Sequence, residues 1–210
     1  MTCVICNNPA RPIFEKHGYW ICECSNCGHR FTQLNPSSDH IENVYNNSYF
    51  EGGEAGYSNY LGEREILLAH GRRYGALVNT YMAPGTMLDV GAAAGFLLKG
   101  FQDKGWQGQG VEPNASMAAY GSSNLGVQIQ TGSLEGFSTD RQFDLVSMIQ
   151  VIAHFFNIRE ALQKAADITC PGGFWLIETW DKDSWMARAL GQNWHEYSPP
   201  SVLHFFRQRA

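Results

Sequence analysis

The sequence predicts an α/β fold, a parallel β-sheet with helices on both faces, preceded by a small cysteine-rich module. Two observations predict it. From Thr86 onward, short apolar runs alternate with helix-period segments, and Gly, Pro or Asn marks most changes of period. Ahead of them, within residues 1–36, two Cys-x-x-Cys pairs stand 17 residues apart. The 210 residues suffice for one such domain with an appendage, and 44% hydrophobic against 17% charged residues provides a real core.

The appendage comes first. Cys3 and Cys6 form one pair, Cys24 and Cys27 the other. Each pair puts two thiolates on one turn, and two such turns complete a tetrahedron around Zn²⁺. Four thiolates leave no position for water or substrate, so the zinc is expected to be structural. Cys22 lies two residues before Cys24 and is an alternative ligand to it. Gly28 suits the tight turn after the second pair. A module this short has little core, so metal binding is expected to stabilise it.

Residues 37–82 read as a connector and N-terminal helices. The stretch NSYFEGGEAGYSNYLG is polar and aromatic with glycines, and Tyr57 and Tyr60 in it are candidates for a lid. Apolar spacing predicts a helix over Ile66–Tyr81 whose buried face holds Ile66, Leu67, Ala69, Tyr74, Leu77 and Val78, stopped by Ala83-Pro84-Gly85.

Residues 83–210 carry the alternating domain. MLDV is the first strand, followed by a glycine turn and a helix from about Gly95 to Lys104. GQGVE is the second, with Asn114 capping a helix that runs to about Ser123. VQIQ and FDLVSMI are the third and fourth strands, and a helix over Ile158–Ile168 follows. Pro171-Gly172-Gly173 turns into the fifth, FWLIET. Beyond Thr179 there is a helix-like Ser184–Leu190 and an aromatic segment, Asn193–Pro200, expected to wall an acceptor pocket. Leu203–Phe206 begins one more element.

The turn after the first strand reads Leu88-Asp89-Val90-Gly91-Ala92-Ala93-Ala94-Gly95. Gly91 and Gly95 let the backbone turn sharply and approach a ligand closely. Glu112 ends the second strand, where a carboxylate can accept hydrogen bonds from ribose hydroxyls. Nicotinamide dehydrogenases and methyltransferases share this layout. A dinucleotide fingerprint, however, needs a glycine where Phe96 stands. Asp89 also suits a cationic sulfonium better than a pyrophosphate.

Together these segments resemble the Rossmann-like class I S-adenosylmethionine-dependent methyltransferases. MLDVGAAAGFLL is similar to their glycine-rich cofactor loop and GVEPNASM to their acidic ribose turn. FDLVSMIQVIAHFFNIREAL and PGGFWLIET resemble their fourth strand with its helix and their fifth strand. The cysteine module resembles the zinc-ribbon head of some bacterial small-molecule and sugar methyltransferases. The resemblance implies that Asp89, Gly91 and Gly95 line the methionine portion of the cofactor, with Ala93 in place of a frequent glycine. It implies that Glu112 holds the ribose, and that Gly132-Ser133-Leu134-Glu135 borders the adenine. Ser133 stands where an aspartate is frequent, which weakens the expected adenine contact. His154, after the fourth strand, is the candidate general base or acceptor ligand, set against a helix-start histidine with a structural hydrogen bond. The family's sheet usually has seven strands, so the chain is expected to lack the final antiparallel pair. The open edge of the fifth strand would then be covered by a second copy, giving a homodimer, or by the C-terminal segment.

Charge and composition narrow the partners. The net charge is −5, and residues 1–40 balance Arg11, Lys16 and Arg30 against Glu15, Glu23 and Asp39. No basic patch offers a grip for nucleic acid. No apolar run approaches the roughly 20 residues of a membrane helix, and the N-terminus lacks the layout of a signal peptide. Six cysteines without a secretory signal point to a reducing cytoplasm. The expected partner is a small-molecule or sugar acceptor. Against this stand a nucleic-acid methyltransferase, a cofactor-binding protein without catalysis and a dehydrogenase.

Overall fold

The computed structural model describes residues 1–34, 40–50 and 59–208, the side chains of 42 and 43 excepted. The head begins with β1 (Ala10–Lys16), β2 (Tyr19–Cys24) and β3 (Arg30–Thr32), an antiparallel meander. His17 and Gly18 join β1 to β2 at φ 50° and 80°. Two positive φ values in a two-residue loop match the twist of the paired strands.

The main sheet runs in parallel, as the alternation predicts. Its strands are β4 (Thr86–Val90), β5 (Gln107–Glu112), β6 (Gln128–Thr131), β7 (Phe143–Ile149) and β8 (Thr169–Glu178), in the order β6-β5-β4-β7-β8. Two short helices, α1 (His40–Val44) and α2 (Asn47–Phe50), precede α3 (Arg64–Val78). The sheet's own helices are α4 (Phe96–Gln102), α5 (Ala115–Leu125), α6 (Ile158–Asp167) and α7 (Trp185–Leu190). Leu88, Val146, Met148 and Val111 fill one side of the sheet with Ala161 and Ala165 of α6. Met87, Leu145, Leu98 and Phe101 fill the other with Tyr74 and Val78 of α3.

Three local expectations change. The buried face of α3 is Leu68, Gly71, Tyr74, Gly75 and Val78, while Ile66, Ala69 and Leu77 are exposed. The cause is close helix packing. A Cβ at Gly71 would collide with the Leu97 carbonyl, and one at Gly100 would sit 2.6 Å from the main chain at Leu68 and Arg72. Apolar spacing does not reveal a face built on glycines. The fifth strand starts earlier than its apolar run, because Pro171-Gly172-Gly173 lies inside β8 as an irregularity opposite Phe143–Leu145. None of the aromatic segment 193–200 lines the cavity at the strand ends: Trp194 and Tyr197 are buried against Ile21, Val202 and Phe205, between head and sheet.

The C-terminal segment provides β9 (His204–Phe205), which pairs antiparallel with β3 through Arg30↔Phe205 and Phe31↔His204. The head sheet is therefore β1-β2-β3-β9. Of the two covers expected for the last strand, a second copy or this segment, the segment is not the one: among the described residues the outer edge of β8 has no partner strand. Phe174, Trp175 and Ile177 are exposed there. Among the described residues no helix is long and apolar enough to cross a membrane.

Candidate active site

A parallel sheet gathers its strand ends on one side, and ligands bind there. In this chain the carboxyl ends of the strands open on a cavity of about 200 Å³. Gly91, Ala93, Glu112, Ser133, Leu134 and His154 all line it, as do Gly132 and Glu135. Asp89 and Gly95 do not. Gly95 caps α4 at φ 75°, and a Cβ there would meet Val127 at 2.6 Å, so it serves the turn and its packing. Asp89 is buried in the sheet, where Ser147 Oγ donates to its Oδ1 at 2.6 Å. Its Oδ2 has no hydrogen-bond partner among the described residues. Burial pushes its carboxyl up to about 6, against the Ser147 bond.

Glu112 is built into the turn. Its Oε2 accepts the Ala93 N–H at 2.9 Å and its Oε1 the Asn114 N–H at 2.8 Å, so each oxygen retains acceptor capacity. Burial pushes the carboxyl up to about 7, outweighing both bonds. Ala93 holds φ 47°, a left-handed conformation that costs a non-glycine residue about 1–2 kcal/mol. The alanine-for-glycine exchange is thus conformational in cost, not spatial. Gly91, at φ 67°, leaves no room for a side chain: a Cβ would lie 2.6 Å from Val151.

His154 ends the short helical turn Ile152–His154. Its Nδ1 lies 2.7 Å from the Ser201 carbonyl, which only accepts, so Nδ1 carries the proton and Nε2 is left as an acceptor. Burial holds its pKa below the usual histidine value, with the Ser201 bond opposing. The hydroxyl of Tyr45 donates to the same carbonyl at 3.1 Å. Both proposed roles of His154 meet here, a structural bond at one nitrogen and a place on the cavity wall.

Other wall residues, Tyr60 excepted, were not marked in the sequence. Tyr45, just after α1, and Tyr49 and Phe50 of α2 cover one side, and Asn114 Nδ2 ties them down through Tyr45 O and Asn47 Oδ1 at 3.0 and 3.1 Å. Tyr60 lines the cavity and stacks on Phe96 with centroids 5.7 Å apart. Tyr57 lies outside the described residues. At the far end, Glu178 closes β8 and accepts from Tyr74 Oη and, at 3.2 Å, from Gln150 Nε2. Burial, then the Glu178 bond, raises the Tyr74 pKa. One signal pointed to Glu178: like Glu112, it is an acid ending an apolar strand run.

The four head cysteines come together as their spacing predicts, with all four Sγ atoms within 4.8 Å of one another. The close pairs are Cys3–Cys27 at 3.7 Å, Cys6–Cys24 at 3.4 Å and Cys6–Cys27 at 3.5 Å. Zn–S bonds of about 2.3 Å place tetrahedral sulfurs about 3.8 Å apart, so the cage fits zinc. Burial pushes the Cys27 thiol up to about 12, while the Asn8 main chain pulls Cys6 down to about 6. Cys22 is not in the cluster; it is buried beside Cys24 and Phe31. Gly28 takes φ 68° at the turn.

Comparison with known proteins agrees with this layout. The model of a methyltransferase domain family matches residues 64–210. A ubiquinone biosynthesis O-methyltransferase of Rhodopseudomonas palustris (strain BisB18) is 31% identical over 116 residues, covering 53% of this chain and 45% of that protein. The homologue from Bradyrhizobium sp. (strain ORS 278) is 28% identical, covering 53% and 46%. The chain thus spans about half the length of the curated relatives it matches. Among solved structures, a possible histamine N-methyltransferase of Thermotoga maritima superposes with TM-score 0.55 at 21% identity, covering 69% of this chain and 66% of that one. DesVI of Streptomyces venezuelae gives 0.51 at 19% identity, covering 70% and 59%. These two share the fold. With the family model spanning the glycine turn, the acid of β5 and the whole parallel sheet, the chain belongs to the methyltransferase domain family, in its class I α/β form.

Proposed function

We propose that the chain transfers a methyl group from S-adenosylmethionine to a small-molecule or sugar acceptor. The observation that carries this is the single cavity that joins Gly91, Ala93, Glu112 and the Ser133–Leu134 turn to His154. Glu112 has acceptor capacity for the ribose hydroxyls, and residues 132–135 form the wall for the adenine. Asp89 lies buried in the sheet, held by Ser147. When bound, the cofactor supplies a methyl carbon whose bond to sulfur breaks, with both electrons staying on sulfur, as an acceptor lone pair forms the new bond. His154, with its proton fixed on Nδ1, offers Nε2 to take a proton from the acceptor. In the head, Cys3, Cys6, Cys24 and Cys27 hold a structural Zn²⁺.

Calorimetry with S-adenosylhomocysteine tests the cofactor site. Hydrogen bonds to a charged group contribute about 1.5–3 kcal/mol, so Glu112→Ala is expected to weaken binding about 10- to 100-fold. An unchanged affinity would place the ribose elsewhere.

A further inference from the structure

We propose that the Glu178 end of the cavity is the acceptor subsite and that it selects a small molecule bearing a primary or secondary amine. This builds on the methyl-transfer reading above.

Position comes first. The strand order puts β5 and β8 on opposite sides of β4, with β7 between β4 and β8. Strands lie about 4.8 Å apart, so three steps separate the ends of β5 and β8 by about 14 Å. Glu112 ends one and Glu178 the other, and both line the same cavity. A cofactor whose ribose lies on Glu112 and whose methionine part passes Gly91 leaves the β7–β8 end for the acceptor.

Chemistry comes second. The two groups bonded to the Glu178 carboxylate, Tyr74 Oη and Gln150 Nε2, are neutral. Glu178 makes no ion pair among the described residues. No Lys or Arg lines the cavity among them either, while Glu112, Glu135 and Glu178 do. Arg73 lies over the Tyr74 ring, 5.3 Å from its centroid, and hydrogen-bonds to that tyrosine rather than pairing with the carboxylate. A carboxylate that meets aromatic groups on the cavity wall and pairs directly with no cation favours a ligand that brings one. Tyr49, Tyr74 and Phe156 add ring faces and apolar surface, which suit an alkylammonium group. The same balance opposes carboxylated and phosphorylated acceptors. Glu178 therefore collects the ammonium form, and His154 Nε2 receives the proton the nitrogen must lose to expose its lone pair.

Two matched probe sets test this on the full chain loaded with S-adenosylhomocysteine. One is tyramine, tyrosol and para-hydroxyphenylacetate; the other is glucosamine, glucose and glucuronate. Binding is read by ligand-observed NMR titration. In at least one set the amine is expected to bind roughly tenfold or more tightly than its alcohol, and the carboxylate most weakly. Glu178→Gln, which keeps a hydrogen-bonding partner for Tyr74, is expected to abolish the preference, and Glu178→Asp to restore part of it. Affinity for S-adenosylhomocysteine is expected to stay the same in both variants. Amines that bind no better than their alcohols in either set overturn the proposal. So does a loss of S-adenosylhomocysteine affinity in Glu178→Gln, which would assign the carboxylate to the cofactor's own ammonium. Failure of the wild-type chain to bind S-adenosylhomocysteine at all would instead remove the methyl-transfer reading beneath it.

Discussion

Glu112 links cofactor binding to protons. Burial raises its carboxyl to about 7, so at neutral pH it is partly protonated. Two ribose hydroxyls donating to it favour the ionised form and lower its pKa. Binding must then release a proton, and affinity must rise with pH between about 6 and 8. Calorimetry at pH 7 in buffers of different ionisation enthalpy is expected to show release of about half a proton, absent in Glu112→Gln; equal heats across buffers would refute the linkage. His154 has the opposite shift. Burial depresses its pKa, so the imidazole is already neutral at pH 7 and loses its base form only on acidification below about 6.5. His154→Ala is expected to reduce kcat by roughly 10²–10⁴-fold with cofactor affinity unchanged, and to remove an acid limb lying below pH 6.5. Near-normal turnover in that variant would leave the histidine a purely structural role. Glu112 and His154 were readable as wall residues because each closes or follows a strand, while Ser133 was reached only through the family resemblance. What holds His154 was not readable, since its Nδ1 partner, the Ser201 carbonyl, and its ring neighbour Tyr45 are distant in sequence.

At the scale of elements, strand–helix alternation disclosed the sheet because each strand carries its own apolar run. The α3–α4 contact shows why other parts stayed hidden. Its two faces meet through Gly71 and Gly100, which carry no hydrophobic signal, so apolar spacing found Tyr74 and Val78 but added the exposed Ile66, Ala69 and Leu77 and missed Leu68 and the glycines. A methyl group at Gly71 must push against the Leu97 carbonyl, part of a helix backbone that cannot yield locally. Overpacking of this kind costs about 1–3 kcal/mol. For a chain of this size, Gly71→Ala is expected to lower Tm by about 2–12 °C, while Ala69→Gly on the exposed face acts only through helix propensity, about 1 kcal/mol. A Gly71→Ala protein as heat-stable as wild type would mean that the helices are not held this close. β8 presents the other element-scale feature. Pro171 and the glycines at its start gave a turn signal, yet they sit in a strand, because an edge position tolerates a missing N–H and a bulge.

For the whole molecule, the decisive fact is that the chain returns to its own beginning. The four-cysteine cluster of the head was legible, but not the head's junction with the sheet, because β9 is only two residues long and lies about 170 positions from its partner β3. Arg207 Nη2 donates to the Cys27 carbonyl at 2.9 Å, and Arg159 of α6 donates to the Val4 carbonyl at 2.8 Å. Thr32 donates its N–H to the Leu203 carbonyl and its hydroxyl to the Val202 carbonyl, both at 2.9 Å. The Leu203 N–H then donates to the Ala153 carbonyl at 2.8 Å, next to His154, whose Nδ1 is held by the Ser201 carbonyl. Residues 201–206 are thus clamped between the cysteine turns and the cavity wall. Zinc is expected at one atom per chain, and its removal to do more than loosen the head. Without the metal the two cysteine turns lose their shared anchor, β3 loses its edge, and the carbonyl that fixes the His154 tautomer is freed. Chelation is therefore expected to lower Tm by roughly 10 °C or more and to cut kcat more than it weakens S-adenosylhomocysteine, since Glu112 is anchored within the main sheet through Ala93 and Asn114. Cys24→Ser is expected to behave like the chelated protein, whereas Cys170→Ser, in β8 and remote from the cage, is not. Nitrogen-15 spectra supply the direct readout: the His154 Nδ1–H signal should broaden or shift when zinc is withdrawn and return when it is restored. An apo-protein with native Tm, native turnover and an unmoved His154 signal would show that the head and the active site share a chain but no mechanical connection.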